Sequence, residues 1–198
     1  AITLNASEAN FTGIERLEIH TFGGDDTVTL SVTGGLTKYV DAGDGDDLVD
    51  ASLAADGTLI GGAGDDTLIG TAVDDLIDGG DGHDVLSGLD GDDIIIGGAG
   101  DNTILGGTGN DTITAADGDN SINGDAGDDR ISVGDGVNTI GGDDDDDFIQ
   151  AGHGGNQISG GDGDDSIFSG AGDDDIDAGD GDDSVSSGDG ADIVDGDG

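Results

Sequence analysis

From Gly61 to Asp195 an acid or its amide returns every ninth residue, as Asp eleven times and as Asn four times. Carboxylates at fixed spacing can transfer protons, pair with basic side chains or ligate a hard cation through oxygen. Basic partners cannot account for them: 48 Asp and Glu stand against three Lys and Arg, a formal charge of −45. His20, His83 and His153 are the only other groups suited to proton transfer, and no Ser–His pairing is visible. Self-repulsion on this scale opposes any compact state unless cations are bound within it. Oxygen ligation of metal ions is therefore the chemistry that the residues point to. The same charge excludes nucleic acid and anionic membrane surfaces as partners. There is no apolar run long enough for membrane insertion. There is also no cysteine for a disulfide framework.

The elements that must position these acids follow from the repeat. Fifteen nine-residue units run without insertion from Gly61, clearest at Gly61–Ile69, Gly79–Ser87, Gly106–Thr114 and Gly160–Phe168. An earlier copy, Ala42–Asp50, precedes a degenerate ten-residue unit, Ala51–Ile60. The eighth position of all fifteen units is aliphatic, from Leu68 and Ile77 to Val185 and Val194. A β-branched residue between small polar ones predicts a short strand with one buried face. Glycine at positions one, two and four predicts positive φ in the connecting turn, with carbonyls turned inward. The expected core is one side chain thick. Burying one Leu or Ile contributes roughly 1.5–3 kcal/mol, against about 1–2 kcal/mol for ordering each residue's backbone. Bound ions must supply much of the difference.

This unit resembles the GGxGxDxUx nonapeptide, U being large and aliphatic, of the repeats-in-toxin (RTX) proteins. The resemblance is close over residues 42–195 and loose over 1–41. It implies an all-β chain folded as a right-handed parallel β-roll, a β-solenoid with two nonapeptides per coil and two facing parallel sheets. Six-residue turns would bind Ca2+ and the last three residues of each unit would form strands. In that geometry the sixth-position side chains of turns eighteen residues apart share each ion. One edge then reads Asp75, Asp93, Asp111, Asp129, Asp147, Asp165 and Asp183. The other reads Asp66, Asp84, Asn102, Asn120, Asn138, Asn156, Asp174 and Asp192, with Asp47 before them. Turn carbonyls such as those of Gly62, Gly64, Gly80, Gly82, Gly107, Gly109, Gly161, Gly163, Gly179 and Gly181 would complete the shells. About ten calcium ions are expected. The four consecutive asparagines leave two alternatives open, a stacked amide ladder or weaker calcium sites, and Asp26 is a further doubtful ligand. Acids at positions three and five, such as Asp81, Asp90, Asp162, Asp164, Asp180 and Asp182, are expected to form a solvated coat. Val137 and Gly155 interrupt them.

Residues 1–41 form irregular N-terminal coils or a cap, with strands expected at Ile14–His20 and Thr27–Val32. Phe11, Ile14, Leu17, Phe22 and Tyr39 are expected to cover the open end of the core. The roll, residues 42–198, continues from them as one solenoid cut within a repeat. His83 and His153 fall on one edge four coils apart, so the chain reads as non-enzymatic. Leu76, Ile94, Ile96, Phe148 and Phe168 should share the outer face of one sheet, a contact patch for flanking domains or another copy. The functional expectation is a secreted or cell-surface structural module of a larger bacterial protein, an adhesin or surface layer. The alternative is the carrier and folding segment of an exported protease, lipase or epimerase.

Overall fold

The computed structural model describes residues 2–5 (backbone only), 16–31 and 37–196, with strands joined by turns and irregular segments and no helix among them. Phe11, Ile14 and Val32 lie outside the described residues. Successive strands alternate between two parallel sheets, one of eleven strands and one of ten. The first sheet runs from Ile2–Asn5 and Thr27–Ser31 through Thr103–Thr108 to Ile193–Asp195; the second runs from Arg16–His20 through Ile94–Ile96 to Ser184–Ser186. This is the parallel β-roll, two nonapeptides to a coil. The eighth-position residue meets its counterpart eighteen residues on, as in Ile104↔Ile122↔Ile140↔Ile158↔Ile176.

That register stacks one aliphatic residue per strand into two facing columns. Leu68, Ile77, Leu86, Ile95, Ile104 and Ile113 are fully buried, and the column continues to Ile176. Val194, in the last described coil, is 49% exposed because no described strand lies above it. Side chains at positions seven and nine face out, since successive strand residues alternate sides. Leu76, Ile94, Ile96, Phe148 and Phe168 accordingly share the outer face of the ten-strand sheet. There Arg130 lies 4.2 Å from the Phe148 ring centre, and the Phe148 and Phe168 rings are 5.6 Å apart.

Three expectations need correction. Strands of the eleven-strand sheet from Val85–Asp90 to Asp175–Asp180 are six residues long, not three, because pairing continues through positions one to three of the following turn. Position-one glycines keep φ out of the left-handed region, which is confined to positions two and four. Phe22 is 82% exposed and covers nothing, whereas Leu17 packs against the core.

The irregular coil also holds a cation. Lys38 is fully buried, and its ammonium pairs with Asp56 at 2.9 Å. Its register partner is Gly57, the residue in line with Asp75 and hence with the sixth-position column of that edge. A lysine thus stands at the foot of the all-aspartate row.

Candidate metal centres

From Asp47 onward every sixth-position side chain does the same first job, except Asp75, whose bonded oxygen accepts from Thr71 N of its own turn. One oxygen accepts the backbone N–H of its counterpart in the preceding coil: Asp75 N to Asp93 Oδ1, Asp93 N to Asp111 Oδ1 and Asp111 N to Asp129 Oδ1, each at 2.7 Å. The row continues through Asp147 and Asp165 to Asp183. On the other edge it runs from Asp26 N to Asp47 Oδ1, then through Asp66, Asp84 and the four asparagines to Asp174 and Asp192. Acid and amide are interchangeable here because both present a carbonyl-type oxygen.

The second atom distinguishes them. In Asn120, Asn138 and Asn156 the amide nitrogen donates to the carbonyls two and four residues earlier and to the sixth-position oxygen of the next coil. For Asn120 these are Gly118 O at 3.1 Å, Ala116 O at 3.3 Å and Asn138 Oδ1 at 3.1 Å. Asn138 and Asn156 repeat the set, and Asn102 reaches Gly100 O alone. The carbonyls of positions two and four therefore do converge on one point beside the sixth side chain, as expected for Gly62, Gly64 and their equivalents.

In the aspartate turns an oxygen occupies that point and has nothing to donate. One oxygen each of Asp47, Asp66, Asp75, Asp84, Asp93, Asp111, Asp129, Asp147, Asp165 and Asp174 is buried without a hydrogen-bond partner. A buried acceptor without a donor costs on the order of 1–3 kcal/mol, and more when ionised. Burial pushes the carboxyls of Asp66, Asp93, Asp129 and Asp147 up to about 7, and that of Asp111 to about 6. Backbone N–H donors oppose that shift and neighbouring aspartates reinforce it. Asp183 and Asp192 are half-buried.

These residues fit a calcium ion. Anionic and carbonyl oxygens crowd together without donors, which is the ligand set a hard cation requires. No three acidic or histidine side chains converge among the described residues. The oxygen set that would hold it is carboxylate from the sixth position with backbone carbonyls of the turn. Position one keeps the space open: a Cβ on Gly61, Gly79, Gly88, Gly106, Gly124, Gly142 or Gly160 would overlap the unpartnered oxygen of its own turn. This is a spatial need, not a conformational one, and the sequence pattern alone did not show it. The asparagine turns differ in the same place, carrying Gly97, Ala115, Val133 and Ala151, with Val133 and Ala151 buried. At Asn120, Asn138 and Asn156 an alkyl group stands where the aspartate turns keep glycine. Aspartate turns with a substituted first position (Ala42, Ser169, Ala178 and Ser187) occur only at the two ends of the repeat array.

The fifth-position acids are exposed, but they are more than a solvated coat. Each accepts the N–H of its counterpart in the next coil, opposite in sense to the sixth-position row: Asp164 N to Asp146 Oδ1 at 2.7 Å, Asp182 N to Asp164 Oδ1 at 2.9 Å. His83 takes an aspartate's place, its Nδ1 accepting from Asp101 N at 3.0 Å. Val137 and Gly155 offer no acceptor, so that ladder lapses after Asp119 and resumes at Asp173. His153 is a separate exposed residue, bonded through its N–H to Asp135, and is not brought to His83.

The first-position contrast predicts unequal effects of one methyl group. Gly88→Ala, beside the bare oxygen of Asp93, raises the calcium concentration needed for folding. Gly97→Ala, whose added carbon would stand 2.9 Å from the end of the Ile104 side chain and 3.1 Å from the Asn102 amide nitrogen, with no bare oxygen beside it, shifts that concentration less. Equal midpoints in calcium titrations of the two variants would contradict the assignment.

The comparisons agree with this geometry. The family model described as "RTX calcium-binding nonapeptide repeat (4 copies)" matches in overlapping segments, 53–86, 69–104, 78–113, 105–140, 141–176 and 168–198. No curated protein and no solved structure matches the chain. Repeats of that family bind Ca2+ and are typical of secreted bacterial proteins. With both sheets, the nine-residue register and the bare carboxylate oxygens in place, the chain belongs to the RTX calcium-binding nonapeptide repeat family.

Proposed function

We propose that this chain is an extracellular structural module of a larger secreted bacterial protein, folded by calcium after export and serving as a spacer in an adhesin or surface layer. The observation that carries the reading is the buried, unpartnered carboxylate oxygen repeated turn after turn. Such a row is untenable in a compact chain of charge −45 without cations, and sustainable with them. Coupling folding to calcium keeps the chain extended where the ion is scarce and compact where it is plentiful.

Asp47, Asp66, Asp75, Asp84, Asp93, Asp111, Asp129, Asp147, Asp165 and Asp174 are the proposed side-chain ligands, with Asp183 and Asp192 at the exposed end. The three intervals between Asn102 and Asn156 need no ion, because the amides of Asn120, Asn138 and Asn156 donate to both turn carbonyls and that of Asn102 to Gly100 O. The outer patch from Leu76 to Phe168 is the proposed contact with a flanking domain or a second copy.

Circular dichroism during a calcium titration tests the reading. The β signal should appear at roughly 10⁻⁴–10⁻³ M calcium and be absent in chelator at neutral pH; an unchanged signal in chelator contradicts it. The raised carboxyl values fix the pH dependence. In chelator, Asp66, Asp93, Asp129 and Asp147 go from the ordinary value of 3.8 when unfolded to about 7 in the roll. Their protonated forms stabilise the metal-free roll fully below about pH 4, and that contribution is lost as pH rises through about 7. Metal-free β structure should therefore grow on acidification, while calcium affinity falls because the ligands must be ionised.

A further inference from the structure

A second feature lies outside the turns. An open furrow of about 560 Å³ runs along the outer face of the eleven-strand sheet, from the strand at Thr103 to that at Ile193. One wall is the seventh-position row, including Ser121, Thr139 and Gln157; the other is the ninth-position row, with Asn123 and Ser159 on either side of Gly141. Gly141 keeps the floor low, since a Cβ there would overlap Asn123 Oδ1. Asp175, Asp177 and Asp195 lie toward one end.

This stretch of the outer face is free of acids in a chain of charge −45, as is the outer face of the ten-strand sheet from Ile94 to Ser186. Across the four strands that begin at Thr103, Ser121, Thr139 and Gln157, no acid stands at the outer positions seven and nine. The same four strands are the ones entered from Asn102, Asn120, Asn138 and Asn156 in place of aspartate. The fold does not demand this, because Asp50, Asp78, Asp175 and Asp177 occupy outer strand positions elsewhere.

We infer that this furrow binds a neutral polysaccharide chain lying parallel to the roll axis. Its walls offer hydroxyl and amide groups, which donate and accept hydrogen bonds as sugar hydroxyls require. Coils repeat every 4.7–4.9 Å or so along the axis, close to the length of one pyranose residue in an extended chain, so successive sugars meet equivalent groups. The surrounding acids repel anionic polymers, and cationic ones are drawn to the aspartate edge instead. The volume lies within the range of pockets that hold small ligands.

The test uses the calcium-saturated chain, with folding verified by circular dichroism so that failure to fold is distinguishable from failure to bind. The probes are hexamers of β-1,4-linked glucose and of β-1,4-linked N-acetylglucosamine, titrated calorimetrically. Saturable binding to at least one hexamer is expected, weakened roughly tenfold by Gln157→Glu or Ser159→Asp, which put charge into the furrow. Ser184→Asp, on the outer face of the other sheet, should leave it unchanged. Absence of saturable binding to both hexamers at millimolar concentration overturns the inference. So does binding indifferent to Gln157→Glu and Ser159→Asp, or preference for an extended Ser/Asn-rich peptide over either sugar.

Discussion

The structure depends on one local conflict. A six-residue turn leaves one carboxylate oxygen buried with no hydrogen-bond donor, ten times among the described residues. Neither the core nor the sheets can resolve it. One buried aliphatic residue per nine offsets only part of the cost of ordering the chain. Strand hydrogen bonds largely exchange water partners for protein ones. A cation resolves the conflict, and in doing so converts the least stable points of the roll into the links between its coils. The RTX repeat is in this sense a fold whose missing core is replaced by metal.

The chain also contains two protein solutions to the same conflict. At the asparagines an amide nitrogen supplies the donors, and Ala115, Val133 and Ala151 stand where the aspartate turns keep glycine. At the foot of the aspartate edge a fully buried lysine supplies the charge, paired with Asp56. Both supply locally what an ion would supply, and both leave the sheet register intact. Glycine, by contrast, has two separate duties. At Gly107, in position two, a positive φ is needed and a Cβ would strike the carbonyl of Leu89; in position one the need is only for space. Leu89, Asp125 and Asp143 take φ of 82°, 76° and 83° at position two. Conformational strain there is tolerated more readily than crowding at an ion.

Much of this was legible in the residues because the period is rigid. Eighteen residues per coil fix which side chains stack, so the aliphatic columns, the two edges and the outer patch at Leu76, Ile94 and Ile96 could be read directly. The carbonyls of positions two and four were legible as well. What escaped lay where the period breaks or where one residue type has two uses. Lys38 sits in a coil whose aspartates, Asp26 and Asp47, are 21 residues apart, and its inward position follows only from the sheet register. Position-one glycine looks like any turn glycine until the neighbouring carboxylate is seen. The fifth-position aspartates look solvated, and are, yet they also cap the next coil. Phe22 was bulky enough to suggest a cap, but it lies at a turn where its side chain points to solvent.

The two edges of the roll are chemically unequal, and counting ions along each of them tests the account most directly. Anomalous scattering from a crystal grown in calcium should show occupied sites along the row from Asp75 to Asp183 and none at the three intervals between Asn102 and Asn156. Equal, full occupancy on both edges would show that the asparagines ligate calcium as aspartates do, and would contradict the view that amide donors and alkyl groups have replaced the ion.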